Sequence, residues 1–374
     1  MEALAALAVP AVAWANGSND NFKGVATLFG SSVSRYRTAL ILGCGATFLG
    51  ALASFFISRG LLATFSGAGL VPDSVVHDPA FPLAVALAGS LTVFLATRLG
   101  LPVSTTHALI GGLLGAGWVA VGGAVRIAPL WDSVFLPLLL SPFLAAGTTW
   151  LLFLLLRPVS AAWRGARAPQ AAACVCAGVT AASVVAAEGV GVMAMSGVLP
   201  AVRTGNLPGC AEGFASPPAR LTFPRALDGL HYLSAGAVSF ARGTNDTPKI
   251  AALLLTSAAL GPGTATAVCA AAMLAGGLLN ARRVAETLAH RVTRLDPEQG
   301  LLANLVTAFY VLGASRLGLP VSTTHIAVGS LFGVGAATRT GRWHTMTNIA
   351  LAWLVTLPMG AALGAAVFAV LRQL

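Results

Sequence analysis

Residues 98–107 read RLGLPVSTTH, and residues 316–325 read RLGLPVSTTH again. A second pair lies upstream of each: residues 15–23 read ANGSNDNFK, and residues 241–249 read ARGTNDTPK. Both pairs occur in the same order and at nearly the same spacing. Self-similarity of this kind marks an internal duplication. The chain therefore divides into a first repeat, 1–160, and a second repeat, 226–374. Residues 161–225 join them, with a hydrophobic stretch around 170–202 and a polar loop over 203–225. The polar stretches are the ones kept alike, while the apolar flanks have drifted. A duplicated bundle held only by packing would show the reverse.

Composition fixes the class. Of 374 residues, 56% are hydrophobic and only 9% charged, and the mean hydropathy is +0.82. Soluble domains carry roughly 25% charged residues, so this chain lacks the charge to cover a water-facing surface. Apolar runs recur along the whole length, which predicts an all-α integral membrane protein in the lipid bilayer. The formal net charge of +10 comes from arginines in short loops. It bears on topology rather than on nucleic acid, for which no soluble basic patch exists. The loop Val71–Pro79, with Asp73 and Asp78, is expected outside. The N-terminus has no basic region before its apolar run, so a cleaved secretory signal is not expected. Cys174 and Cys176 have no histidine beside them, and no metal site is expected.

A spanning helix needs about 20 apolar residues. Candidate segments are roughly 2–14, 20–31, 38–58, 80–97, 104–122, 133–156, 170–187, 189–202, 228–241, 246–259, 262–281, 299–315, 322–337 and 345–371. The first two flank residues 15–19, and 228–241 and 246–259 flank Arg242–Asn245. Each pair reads as one broken helix. Non-helical backbone at membrane depth is tolerated only where protein or a polar cavity satisfies it. Binding sites of repeat-built transporters lie at such interruptions, and an odd number of linker crossings makes the repeats inverted. Glu188 in the linker reads as a helix-end residue. Asn304 and Thr307 read as cavity-facing groups or as interhelical hydrogen-bonding residues.

Twenty of the 22 basic residues are arginines, and the two lysines are Lys23 and Lys249. They occupy the same position in the two repeats. A charge at bilayer depth costs about 2.5–3.5 kcal/mol on insertion scales, so it is kept for function or pairing. Asp20 and Asp246 each precede a lysine by three residues, on one helix face. Two aspartates and two lysines sum to zero. A dianion added to that site leaves −2, which requires co-transported cations or protons. The aspartates are the natural carriers, and they accept a hydrogen bond from a protonated oxyanion. That favours phosphate over sulfate.

The PVSTTH stretch reads as a helix start, with Ser104 or Ser322 as the cap after a proline. Free backbone N–H groups and the hydroxyls of Ser104, Thr105 and Thr106 suit an oxyanion, as do those of Ser322, Thr323 and Thr324. Two such starts facing each other would close around a tetrahedral anion. His107 and His325 are possible donors, proton carriers or packing residues. No G-x-S-x-G nucleophile elbow is present, and no enzyme is expected.

The motifs Asn16-Gly17-Ser18-Asn19-Asp20 and Gly243-Thr244-Asn245-Asp246, with the two Pro-Val-Ser-Thr-Thr-His stretches, resemble the inorganic phosphate transporter (PiT) family. The resemblance covers both halves. It implies an inverted-repeat fold with two re-entrant hairpins, and symport of phosphate with sodium or protons. It places Asn19, Asp20, Asn245 and Asp246 at the cation and substrate site, where they couple the ion, and the six Ser and Thr hydroxyls around phosphate. The family pattern G-A-N-D-x-A-N ends in asparagine, where this chain has Lys23 and Lys249.

The reading is a multi-pass secondary transporter of the plasma membrane, or of the inner membrane in a prokaryote. It carries inorganic phosphate, with the lysines as built-in cations that make transport sodium-independent and proton-linked. No cofactor is expected beyond the coupling ion, H+ or Na+. A sulfate or other oxyanion permease is the alternative within the class, and an anion channel the alternative outside it. A homodimer is compatible with the sequence, though no motif calls for one.

Overall fold

The computed structural model describes residues 2–58, 60–165, 173–183, 196–206, 214, 216, 219–256 and 260–373. The first repeat contains α1 (Glu2–Asp20), α2 (Ala26–Gly30), α3 (Tyr36–Ile57), α4 (Gly60–Phe65), α5 (Asp73–Val76), α6 (Ala80–Arg98), α7 (Thr105–Val121), α8 (Ala128–Leu130) and α9 (Leu136–Gly165). The linker holds strands β1 (Ala173–Ser183), β2 (Ser196–Asn206) and β3 (Ala219–Thr222). The second repeat contains α10 (Phe223–Thr256), α11 (Pro262–Asn280), α12 (Arg282–His290), α13 (Pro297–Arg316), α14 (Thr323–Thr338) and α15 (Trp343–Leu371). Among the described residues, six helices are long and apolar enough to cross a membrane.

Contacts divide the chain into two units: Met1–Leu154 with His231–Leu374, and Leu155–Leu230. Both repeats thus share one unit. The cause is reciprocal packing. Helix α1 of the first repeat lies against α11 of the second, and α10 of the second lies against α3 of the first. At Gly17 an added Cβ would sit 2.0 Å from the Met273 carbonyl oxygen; at Gly243 it would sit 2.2 Å from that of Thr47. Only glycine allows the backbones this close. The two largest apolar clusters among the described residues follow the same exchange. One joins Val12, Leu83 and Leu113 to Leu253 and Met273; the other joins Phe22 and Leu28 to Leu288 and Trp353.

The identical decapeptides form identical turns. Helices α6 and α13 end at Arg98 and Arg316. Gly100 and Gly318 then take left-handed φ values of 71° and 69°, a conformation open to glycine at little cost. The amides of Leu101 and Leu319 donate back to the carbonyls of Ala96 and Ala314, both at 2.9 Å, closing the helix ends. Pro102 and Pro320 prevent the chain from resuming the helix at once. Ser104 and Ser322 then cap α7 and α14, each hydroxyl accepting from the histidine amide three residues on, at 3.2 Å.

Two expectations need correction. Residues 15–19 do not break the first helix. It runs through Asp20, and the irregular turn falls at 21–25 before α2. Residues 242–245 do not break the second, since α10 is continuous from Phe223 to Thr256 with Pro248 inside it. The Gly-Ser-Asn and Gly-Thr-Asn triplets resemble loop sequence. Their glycines serve close helix approach instead, and tertiary packing overrides their weak helix propensity.

The linker segments 170–187 and 189–202 are the second correction. Their described parts are strands, with antiparallel register from Ala173↔Asn206 to Ser183↔Ser196. Strand β3 pairs antiparallel on the other side of β1, giving the order β2-β1-β3. Short apolar runs do not distinguish strand from helix by periodicity. Here Cys174 and Cys176 are buried while Val175 and Ala177 are exposed, the period of two that a strand requires. Glu188 lies outside the described residues.

Candidate functional site

Lys23 is 5% exposed and Lys249 1%. Each lysine reaches its own aspartate: Lys23 Nζ donates to Asp20 Oδ1, and Lys249 Nζ lies 3.4 Å from Asp246 Oδ1. Each also donates to the valine carbonyl of its own repeat's PVSTTH turn, at 2.8 Å on Val103 and 2.7 Å on Val321. The third partner comes from the opposite repeat. Lys23 Nζ donates to Thr324 Oγ1, and Lys249 Nζ to Thr106 Oγ1 at 2.9 Å.

The two helix starts meet directly. Thr324 donates to the Val103 carbonyl at 2.7 Å, and Thr106 to the Val321 carbonyl at 3.4 Å. Thr105 donates to Asp20 Oδ2 at 3.4 Å, and Thr323 to Asp246 Oδ2 at 3.5 Å. Every one of these contacts has its counterpart in the other repeat. Asp20, Lys23, Thr105, Thr106, Asp246, Lys249, Thr323 and Thr324 therefore form one buried cluster. Its ammonium groups and hydroxyls lie beside two helix N-termini, which suits an anion.

Asn19 and Asn245 hold the turns in place. Asn19 Nδ2 donates to Thr97 Oγ1 at 2.9 Å and to the Leu101 carbonyl at 3.0 Å, while its Oδ1 accepts from the Val103 amide. Asn245 Nδ2 donates to the Val321 carbonyl at 3.1 Å and to Asp246 Oδ1 at 3.0 Å. The rings of His107 and His325 meet edge to face at 4.6 Å. Their Nδ1 atoms face the backbone carbonyls of Trp353 and Leu138. His325 also lies 4.1 Å from the Trp353 ring. Asn304 Oδ1 accepts from Thr27, and Thr307 donates to Ser330. Asn304 and Thr307 also line a small cavity that Lys23 borders.

Arg242 is the residue that sequence reasoning missed. It was read as part of a break, yet it is 1% exposed inside α10. It stands where the first repeat has Asn16, and the two touch: Arg242 Nη2 donates to Asn16 Oδ1. Arg242 Nη1 donates to Asn21 Oδ1 and to Thr47 Oγ1. Asn16 Nδ2 then donates to Asp20 Oδ2 at 3.0 Å, to Thr105 Oγ1 at 2.9 Å and to Asp246 Oδ2 at 3.4 Å. One amide thus joins the guanidinium to both carboxylates. The available signal was the mismatch itself, a charge at one position of an otherwise shared polar motif.

A separate cavity of about 490 Å³ opens against α1, α6, α11 and α12. Its wall includes Ser18, Thr97, Arg98, Arg282 and Arg283. Ser18 belongs to the motif helix, and Thr97 is the hydroxyl that accepts from Asn19.

Apolar spanning helices around a buried ionic cluster built from both repeats define a multi-pass membrane protein of the transporter class. The sequence comparisons agree. The chain belongs to the phosphate transporter family, whose model matches residues 16–364. It is a transporter-family member and not an enzyme. A "Probable low-affinity inorganic phosphate transporter" of Rhizobium meliloti is 29% identical, covering 94% of this chain and 90% of that protein. A protein of the same description from Bacillus subtilis is 25% identical, covering 96% and 93%. Among solved structures, "The sodium-dependent phosphate transporter" superposes with a TM-score of 0.75 at 22% identity, over 100% of this chain and 99% of that one. That likeness concerns the fold.

Proposed function

We propose that the protein is a secondary active symporter of inorganic phosphate, sodium-independent and proton-linked, with its repeats in inverted orientation. The observation that carries this reading is the reciprocal seating of Lys23 and Lys249, each bound to the threonine of the opposite repeat. Fixed ammonium groups stand where the family motif has asparagine. They supply positive charge that a mobile metal ion would otherwise bring. Phosphate is held by these two lysines and by the helix starts at Ser104, Thr105, Thr106, Ser322, Thr323 and Thr324. Ser104 and Ser322 contribute chiefly by capping, since their oxygens accept backbone N–H groups. Asp20 and Asp246 carry the coupling proton and accept from a protonated phosphate oxygen, with Asn19 and Asn245 fixing their surroundings.

Uptake of labelled phosphate into proteoliposomes tests the reading. With sodium replaced by choline, uptake is expected to persist and to rise with an inward proton gradient. Strict dependence on sodium defeats it. Excess sulfate is expected to leave phosphate uptake largely intact; full competition would assign the site to oxyanions in general. Saturation and counterflow distinguish a carrier from a channel.

A further inference from the structure

Among the described residues, five buried side chains are Asp, Glu, Lys or Arg: Asp20, Lys23, Arg242, Asp246 and Lys249. All five belong to one cluster. Two carboxylates against three cations leave one net positive charge, where Lys23 and Lys249 alone would leave none. The third cation is Arg242, and it breaks the symmetry of the site. The lysine and threonine contacts described above recur in both repeats, whereas Asn16 faces Arg242.

We propose that Arg242 is a fixed counter-charge that stands in for a coupling metal cation, and that its presence in only one repeat sets how much anionic charge the site accepts unaided. The inference rests on the transport reading above and goes beyond its two lysines. Its geometry is that of an ion held beside one carboxylate, Asp246, among neutral oxygens. The guanidinium reaches Asn16 and Asn21 oxygens and the Thr47 hydroxyl. Its Nε lies 3.6 Å from Asp246 Oδ2 and has no hydrogen-bond partner among the described residues. Neutral oxygens plus a carboxylate around one positive centre is the donor set a hard monovalent cation would take. Arginine fills it with a charge that never leaves, because guanidinium stays protonated in proteins. With the site at +1, one negative charge enters to neutrality. A dianion brings it to −1 and calls for one proton on Asp20 or Asp246.

The position supplies its own controls. R242N places in the second repeat the residue that the first carries. R242K keeps the charge with a poorer fit. The swap N16R/R242N moves the cation across the symmetry axis and keeps the count. In proteoliposomes, R242N is expected to lose at least ten-fold of phosphate uptake in choline and to recover much of it in sodium. R242K and the swap are expected to remain active in choline, at reduced rate. The proposal is overturned if monodisperse R242N keeps wild-type uptake in choline, if sodium fails to restore it, or if R242K behaves as R242N does. Should R242N not fold, R242K and the swap decide: loss in choline with sodium rescue in either one overturns the role of charge. The wild type reports separately on the parent reading. No phosphate uptake in either medium sinks phosphate transport, and uptake only in sodium sinks sodium independence, before any variant is compared.

Discussion

Asn16 and Arg242 occupy the same place in two copies of one motif, and the guanidinium of one donates to the amide oxygen of the other. This contact crosses between the repeats at the level of Asp20 and Asp246. It orients Asn16 Nδ2 toward both carboxylates, at 3.0 and 3.4 Å. The two halves therefore meet through an unlike pair at the centre of an otherwise symmetric cluster. The site belongs to neither repeat alone. That is why a duplication can retain its polar residues while its apolar flanks diverge.

The Asp20–Lys23 pair is expected to behave as a buried ion pair. D20N leaves Lys23 facing a carbonyl and a hydroxyl with no carboxylate, and removing one partner of such a pair costs about 3–5 kcal/mol. Thermal unfolding in detergent is expected to show a marked fall for D20N. The double variant D20N/K23N is expected to regain part of it, since no lone charge remains. A double variant no more stable than D20N would show that the two side chains act independently.

Thr106 and Thr324 test the reciprocity of the site. Hydrogen bonds to charged groups are worth about 1.5–3 kcal/mol, so T106V and T324V are each expected to lower phosphate uptake roughly ten-fold or more. T106S and T324S keep the hydroxyl and are expected to lose far less. Similar losses at the two positions are the specific expectation. A large effect at one with none at the other would show that the repeats contribute unequally.

Gly17 and Gly243 are expected to tolerate no side chain. G17A or G243A drives a methyl group into a backbone carbonyl of the partner helix, at 2.0 and 2.2 Å before relaxation. Overpacking of this kind costs about 1–3 kcal/mol or more. Gly45, on α3, meets nothing within 4 Å, so G45A is the matched control. Size-exclusion profiles and melting temperatures of the three variants check the difference. Equal behaviour of all three would remove close helix approach as the reason for the motif glycines.

His107 and His325 are expected to pack rather than to carry substrate. The two rings lie against each other and that of His325 lies against Trp353, with both Nδ1 atoms toward backbone carbonyls. H107F is expected to keep more than half of phosphate uptake across neutral pH. A loss comparable to that of T106V would place the imidazole on the transport path.

Composition, the duplicated motifs and the paired lysines were sufficient to define a two-repeat helical membrane protein with Asp20, Lys23, Asp246 and Lys249 at its polar centre. These features are written in residue type and spacing, which the chain carries before it folds. The decapeptide turns were legible for the same reason: Gly100 and Gly318, the following prolines and the serine caps act locally. Three things were decided only by tertiary structure. Residues 15–19 and 242–245 stay helical because neighbouring backbones pack against Gly17 and Gly243, a contact invisible in local propensity. The described parts of segments 170–187 and 189–202 form strands because pairing partners, not their own apolar content, select their conformation. Arg242 joins the site because burial beside Asp246 and Asn16 turns an arginine that resembles a loop residue into a fixed charge. Such a residue is recognised only once the second repeat lies against the first, since an ion's role depends on what surrounds it.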